Sequence, residues 1–408
     1  MFNTLWELDQ QHNGLSVSLR DSSGSWIDEN ADMRLDEQGI SLNPSSDSAP
    51  NPLIQIHDGA KLSGETYTTI RALFDNYEPL ETKSEDVLGT NAEEDAEIDA
   101  FLNAVMKTEV IKKALSQINL QRLRPDANGV YTEAEFKQLL KHQWFALYTN
   151  HYSQPKPHCS GFEHVFVGDH NGSKIGGHHF WWKYFLDEQN GEANSLGHKY
   201  KGPRGENYRW IATFRMQWDP KPGVSLKNPD QKGFFVGCSP ELMIAHGTLA
   251  LLLEKKNDGK HPVIEFDGGR YELTLHANTV AGTGDPDDRR GDQIRSVFPK
   301  LQAVSGGTGP LIEKSVAEAL TLPNGTRVVV TGVIAEAHNG EFGLRLADSA
   351  DSPQSLVVKL PKTFRPQFNA KQNPAAKGRN VLIDARRGNY TGIPGLVDVT
   401  HVEFRADE

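Results

Sequence analysis

The spacing of apolar residues changes once along this chain of 408 residues, and that change constrains its fold most strongly. From 93 to 119 apolar residues recur at helical intervals, which is typical of amphipathic helices. From 162 to 168, and again from 208 to 218, the pattern of aromatic and β-branched residues is that of strands. The sequence therefore predicts an α+β fold, in which a helical N-terminal half precedes a β-rich half.

Local signals add shorter elements to this outline. Thr132 and Glu135 have the spacing of a capping box, which marks the beginning of a helix. A short helix is expected at Pro240–Ala245, followed by a strand at Leu249–Leu253. Residues 1–60 are rich in Ser, Asn and Asp and keep no sustained period, so we expect them to be loosely structured.

Turn-rich sequence divides the chain between residues 300 and 312. Before it we expect one domain over 1–300, with a helical part at about 60–150 and a catalytic part at about 151–295. After it, residues 312–408 contain five short strand-like runs, which predict a small β-barrel. This segment resembles an OB-fold, a barrel that often holds single-stranded nucleic acid.

Composition limits the classes of function. A formal charge of −11 argues against a protein that coats nucleic acid through a general positive field, although a local basic cleft remains compatible with it. The N-terminus shows no basic segment followed by an apolar run, and no later segment has the length needed to span a bilayer. We therefore expect a soluble cytoplasmic protein with no membrane partner, whose cysteines, Cys159 and Cys238, stay reduced.

Two stretches that place histidine among glycine and aromatic residues carry the strongest functional signal. They are Ser160–Asp169, which contains His164, and Gly172–Trp181, which contains the tandem His178-His179. Imidazole titrates near neutral pH, so such residues are candidates for proton transfer. A single histidine on a strand is nevertheless more often a hydrogen-bonded core residue than a catalyst.

In their surroundings these stretches resemble the signature of the EndoU family of endoribonucleases, which includes the animal poly(U)-specific enzymes. A third family element, Gly-x-Ser-Pro-Glu, is matched by Gly237–Glu241, and the upstream segments Leu73–Glu78 and Val105–Thr108 resemble the family's helical half. The resemblance covers roughly residues 60 to 290 in order. It implies an enzyme that cleaves single-stranded RNA 3′ of uridines by attack of the 2′-hydroxyl, leaving a 2′,3′-cyclic phosphate and a 5′-hydroxyl.

The resemblance also implies catalytic roles. His179 matches the family's general base and His164 its general acid, and alignment of Trp181 with the family's tryptophan selects His179 over His178. A lysine is expected to stabilise the charged phosphorane. Lys227 fits the local pattern best, with Lys232 as a serious rival.

Substrate and metal contacts follow from the same resemblance. Ser239 and Thr283 match residues that would contact the uridine, and Ser239 could equally be a helix N-cap. Asp285 replaces the family's tyrosine, which puts stacking on the base in doubt. Glu163 and Asp169 match carboxylates that are candidate ligands for Mn²⁺, an ion that the mechanism does not require.

Two other classes of function are alternatives to the endoribonuclease hypothesis. The chain could be an RNA-binding protein with a degenerate nuclease domain, but His164, His179 and a suitable lysine are all present. It could also be a metal hydrolase that uses His164, His178 and His179 as ligands, but it lacks the helix signature of such enzymes. The sequence favours the endoribonuclease.

Overall fold

A computed structural model describes most of the chain as two compact units. The first unit holds nearly all of residues 1–302, and the second holds Ala303–Glu408 with two short segments from earlier in the sequence. The described residues are 1–20, 24–39, 46–80, 91–126, 128–148, 159–198, 209–227, 232–256, 261–266, 269–278, 291–301, 313–322, 324, 326–349, 352–362 and 364–405.

Seven helices are described in the first unit, and they do not all precede its strands. They are α1 (Phe2–Gln11), α2 (Glu65–Ala72), α3 (Ala92–Met106), α4 (Glu109–Leu120), α5 (Glu133–Phe145), α6 (Trp181–Asn190) and α7 (Pro240–Lys256). The predicted capping box is confirmed, because Thr132 and Glu135 exchange hydrogen bonds at the start of α5. The short helix predicted at 240–245 is part of a longer one, because α7 runs for 17 residues. The strand predicted at 249–253 is wrong, since these residues belong to α7.

The described strands of the first unit form small sheets between these helices. They are β1 (Val17–Ser18), β2 (Met33–Leu35), β3 (Ile54–Ile56), β4 (Asp169–Asn171), β5 (Lys174–Gly176), β6 (Ala193–His198), β7 (Ile211–Lys221), β8 (Val224–Lys227), β9 (Lys232–Phe235), β10 (Val263–Phe266), β11 (Gly269–Ala277) and β12 (Ile294–Leu301). Strand β8 pairs with the second half of β7, and β9 pairs with its first half. Strands β10, β11 and β12 form a separate sheet.

The expected order of a helical half and then a β-rich half is not what the structure shows. Strands β1–β3 come before α2, whereas α6 and α7 lie between strands of the later part. The described parts of residues 1–60 are also more ordered than expected. Leu5 and Trp6 of α1 and Met33 of β2 are almost fully buried, so burial of apolar side chains orders a segment whose composition suggested loops.

The segment 162–168, predicted as a strand, is a helical turn at Glu163–Val167. Phe162 and Phe166 stack with ring centroids 4.8 Å apart, and Phe162 also stacks on Phe145 of α5. Four-residue spacing puts both phenylalanines on one face of a turn. The aromatic core therefore fixes this segment against the helices.

The second unit contains a closed barrel of five strands, as the sequence predicted. Its elements are β13 (Glu313–Lys314), α8 (Val316–Thr321), β14 (Arg327–His338), β15 (Gly343–Ala347), β16 (Ser355–Lys359), α9 (Arg365–Phe368), β17 (Asn380–Tyr390) and β18 (Ile393–Phe404). The strand order is β14-β15-β16-β18-β17, and β17 pairs with β14 to close the barrel. Aliphatic residues from all five strands fill its interior.

Within the described residues, Cys159 and Cys238 are separate buried thiols. No helix in that part of the chain is both long and apolar enough to cross a membrane.

Candidate active site

A cavity of about 490 Å³ in the first unit brings together residues from distant parts of the sequence. Its lining residues include His164 from the helical turn, His179 from the segment before α6, and Lys232 from the start of β9. Strands β11 and β12 supply further lining residues. The two histidine stretches singled out in the sequence therefore meet at one site, with ring centroids of His164 and His179 6.1 Å apart.

His164 is held by a buried carboxylate. Asp169 Oδ2 lies 2.7 Å from His164 Nδ1, which leaves Nε2 as the ring nitrogen that is not occupied by this contact. Burial by itself would raise the pKa of Asp169, but the His164 imidazole, with help from Lys232 and Arg295, lowers it. The contact therefore keeps Asp169 ionised and fixes the orientation of the His164 ring.

The backbone around the tandem histidines is tied directly to the helical turn. His178 N–H donates to His164 O at 2.9 Å, and His179 N–H donates to Val165 O at 2.7 Å. A Cβ on Gly176 or Gly177 would collide with Asp169 or with the His164 carbonyl. Glycine is therefore required at both positions for this close approach.

The first histidine of the tandem faces away from the cavity. His178 is fully buried, and its Nε2 lies 2.9 Å from Asp187 Oδ2 on α6. Its backbone φ of 59° is unusual for a residue other than glycine. This conformation turns the chain so that His178 contacts the core, whereas His179, the residue selected by alignment with Trp181, lines the cavity.

The second histidine is held in one tautomer. His179 Nδ1 lies 2.9 Å from Gly233 O. Because a carbonyl only accepts hydrogen bonds, Nδ1 carries the proton and Nε2 has a free lone pair. The ring stacks on Phe298, with centroids 4.7 Å apart. Burial lowers the pKa of His179 well below the usual imidazole value, and the nearby positive charges of Lys232 and His164 lower it further.

The structure places Lys232, not Lys227, at this cavity. Lys232 is only 6% exposed, and its Nζ donates to Ile175 O at 2.7 Å. It is also adjacent in the chain to Gly233, which holds His179. Lys227, the residue preferred from the sequence, is exposed at the end of β8 and is not among the lining residues. The two lysines are separated because β8 and β9 pair with different halves of β7.

Sequence reasoning missed the contribution of β12. Arg295, Phe298 and Lys300 from this strand line the cavity, together with His276 from β11. The Lys300 ammonium lies 5.3 Å from the centre of the Phe298 ring. Arg295 and Lys300 add positive charge to the site of a chain whose formal charge is −11. The β-branched and aromatic run Ile294–Phe298 was the available signal, and neighbouring turn residues obscured it.

Of the two residues predicted to contact the substrate, the structure describes only Ser239. Ser239 is fully buried and is not among the cavity's lining residues. Its N–H and Oγ donate to Asp9 of α1, and its Oγ accepts from Leu242 N–H as a helix N-cap does. The structure therefore places it at the base of α7. Thr283 lies outside the described residues.

Glu163 and Asp169 do not form a shared metal site. Asp169 is paired with His164, whereas Glu163 Oε2 accepts from Ser160 N–H, and Ser160 Oγ accepts from Glu163 N–H in return. No group of three or more His, Cys, Asp or Glu residues in the described ranges is arranged to hold an ion. The carboxylates present thus fit the positioning of the turn and of His164 better than they fit Mn²⁺.

Comparison with known proteins gives the context for this site. Residues 336–405 match a family described as a domain of unknown function, DUF6359. A uridylate-specific endoribonuclease B of Danio rerio is 31% identical over 66% of this chain and 92% of its own length. A poly(U)-specific endoribonuclease-A of Xenopus laevis is 29% identical over 74% of this chain and 92% of its own.

The match to mammalian relatives is shorter. A human uridylate-specific endoribonuclease is 31% identical over 57% of this chain, which spans only 51% of that protein. A solved structure, described as XendoU, a splicing independent snoRNA processing endoribonuclease, superposes with a TM-score of 0.53 at 25% identity and covers 74% of this chain and 96% of its own. Residues 2–299 match the family model of endoribonuclease XendoU, and the chain belongs to that family.

Proposed function

We propose that this protein is an endoribonuclease that cleaves single-stranded RNA 3′ of uridines, with the RNA's own 2′-hydroxyl as nucleophile. The proposal rests on two histidines that have different hydrogen-bond partners and that line one cavity together with a buried lysine. Relatives named uridylate-specific or poly(U)-specific endoribonucleases support the substrate class. Membership of the XendoU family supports the reaction type at the level of RNA cleavage.

The two histidines suit opposite proton transfers. His179 has its proton on Nδ1 and a free Nε2, so it can accept the proton of the 2′-hydroxyl. His164 contacts the Asp169 carboxylate through Nδ1, and we assign its Nε2 to give a proton to the departing 5′-oxygen. The proton taken at one imidazole is thus balanced by the one delivered at the other. The products are a 2′,3′-cyclic phosphate and a 5′-hydroxyl.

Lys232 takes the role first expected of Lys227. Its ammonium group lines the same cavity as both histidines and is nearly excluded from water. A fixed cation in such a place stabilises negative charge that develops on the phosphorane more strongly than an exposed one would. No step requires a metal ion, and Asp169 acts by holding His164.

The test is product analysis with a single-uridine oligoribonucleotide, with and without Mn²⁺ and with chelator. We expect cleavage in every condition, with a 2′,3′-cyclic phosphate on the upstream fragment. A matched oligonucleotide with 2′-deoxyuridine at the cut site should resist cleavage, since it lacks the nucleophile. Cleavage of the deoxy substrate, or a 5′-phosphate on the downstream fragment, would instead indicate attack by water.

A further inference from the structure

Two turns meet at one end of the β-barrel and present an exposed aromatic ring. The β14–β15 turn contains Asn339 and Phe342, and the β17–β18 turn contains Thr391. Asn339 Nδ2 donates to Tyr390 Oη at 3.0 Å, and His338 Nε2 lies 2.7 Å from Thr391 Oγ1. These contacts between the turns hold them together, so the surface is formed before any ligand arrives.

Phe342 is the centre of this surface, which we call the turn surface (residues 338–342, 359, 365 and 390–391). The ring remains 46% exposed, although the guanidinium carbon of Arg365 lies 4.7 Å from its centroid. Arg365 is itself anchored, because its Nε donates to Leu360 O at 3.0 Å. An exposed phenylalanine supported by a fixed guanidinium is a platform on which a nucleic-acid base can stack.

The charge around the platform favours a polyanion. Lys359 is exposed and lies directly opposite Gly343 in the pairing of β15 with β16. Gly343 is the residue that follows Phe342 in the sequence. Between Lys359 and Arg387 the sequence contains many lysines and arginines and a single acidic residue, Asp384. The surface itself contains one acidic residue, Glu341, which accepts from Gln372, and Glu336 of the preceding strand pairs with Arg345. Arg365 next to the Phe342 ring and the exposed Lys359 on the neighbouring strand are the cations that would meet phosphates.

We propose that the turn surface binds a segment of single-stranded RNA, with a base stacked on Phe342 and neighbouring phosphates next to Arg365 and Lys359. In five-stranded barrels of the OB type, the turns after the first and fourth strands form the usual site for oligonucleotides. The β14–β15 and β17–β18 turns occupy those positions here. That the nucleic acid is RNA rests on the proposed function, whereas the stacking site rests on the barrel alone.

The experiment measures binding by the full chain to a fluorescent 20-nucleotide single-stranded RNA of mixed sequence with 2′-O-methyl groups throughout. This probe cannot be cleaved by 2′-hydroxyl attack, so binding is read separately from chemistry. We expect Phe342→Ala to weaken binding roughly five- to hundredfold, as loss of one base–aromatic stack does. Phe342→Tyr should restore it, and the cleavage rate of a uridine-containing trinucleotide should not change in either variant.

Paired lysine variants test the location of the site. Lys359→Ala should weaken binding of the 20-mer, whereas Lys377→Ala, an exposed lysine near the opposite end of β17, should have little effect. A duplex RNA of the same length should compete poorly, because its base faces are not accessible.

The outcomes separate the two proposals. Wild-type affinity in Phe342→Ala, or equal competition by the duplex, would overturn the stacking site even if the protein cleaves RNA. Binding that depends on Phe342, in a protein that fails to cleave unmodified RNA, would support the barrel site and refute the proposed function.

Discussion

At the scale of single residues, the site depends on what each imidazole and ammonium contacts. His178 and His179 are adjacent in sequence, yet one contacts a buried carboxylate and the other a backbone carbonyl at the cavity. The positive φ of His178 produces this separation. Residue type alone therefore does not distinguish the two imidazoles, whereas the hydrogen-bond partner of each ring does.

The first prediction separates the two candidate lysines. Lys232→Ala should lower the cleavage rate at saturating RNA by about 10²–10³-fold, the usual loss when one fixed group that stabilises a charged transition state is removed. Lys227→Ala, which removes an exposed lysine from β8, should leave the rate near wild type. Single-turnover kinetics measures both. A large loss from Lys227→Ala with an active Lys232→Ala would restore the assignment made from the sequence.

A second prediction concerns pH. The general base must be neutral to act, and burial and the Lys232 charge lower the pKa of His179. The acidic limb of kcat/KM should therefore lie well below the ordinary imidazole value of about 6.5. Lys232→Met removes a positive charge that disfavours the imidazolium, so the pKa of His179 should rise and the limb should move to higher pH.

Histidine NMR titration of the free enzyme measures the same shift without relying on activity. The Lys227→Met variant serves as the control and should titrate as wild type. An acidic limb that stays in place in Lys232→Met would show that the two groups are not coupled.

The sequence singled out His164 and His179, which line one cavity, but it preferred a lysine that does not line that cavity. The histidines lie in distinctive glycine-rich and aromatic strings, whereas the lysines lie in a stretch where spacing has several solutions. The choice depends on how the chain pairs after β7: β8 turns back along its second half, and β9 returns along its first. This pairing is a long-range property that local pattern does not specify.

At the scale of elements, the segment Glu163–Val167 has a strand-like sequence pattern but forms a helical turn. The run of aromatic and β-branched residues suggested a strand. Ser160 and Glu163 nevertheless have the same spacing as Thr132 and Glu135, and they exchange hydrogen bonds in the same way. A capping box was therefore present in the sequence at both places. The burial of Phe162 and Phe166 on one face then decided the conformation.

A third prediction tests the role of Ser239 at the start of α7. Its Oγ contacts Asp9 and accepts from Leu242 N–H, so it joins the first helix of the chain to α7. Ser239→Ala should lower the free energy of unfolding by about 0.5–2 kcal/mol, as loss of an N-cap does. Preference for uridine over cytidine should not change. Denaturant titration and competition between the two substrates measure the two effects, and a changed preference would return Ser239 to substrate recognition.

At the scale of the whole molecule, the chemistry and the further RNA contact are assigned to different units. The described residues that line the cavity all belong to the first unit. In residues 303–408 lysine and arginine slightly outnumber aspartate and glutamate, so the formal charge of −11 comes from the rest of the chain. A barrel without this excess of negative charge is better suited to bring RNA to an acidic protein. The sequence predicted the five strands of the barrel because turn residues separate them, although β14, β17 and β18 are longer than the short strands expected.

The last prediction follows from this division and uses a chain that ends at Gly309. Because every described residue that lines the cavity belongs to the first unit, this shortened chain should fold and cleave a uridine-containing trinucleotide at close to the wild-type rate. It should bind the 2′-O-methyl 20-mer more weakly than the full chain. The logarithm of its affinity should also fall less steeply with the logarithm of salt concentration, by about 0.7 for each phosphate contact that the barrel provided.

Circular dichroism shows whether the shortened chain folds, and fluorescence anisotropy measures its affinity for the 20-mer and the salt dependence of that affinity. Equal affinity and an equal salt slope would leave the barrel without a role in RNA binding, whereas loss of trinucleotide cleavage in a folded shortened chain would show that the second unit contributes to catalysis itself.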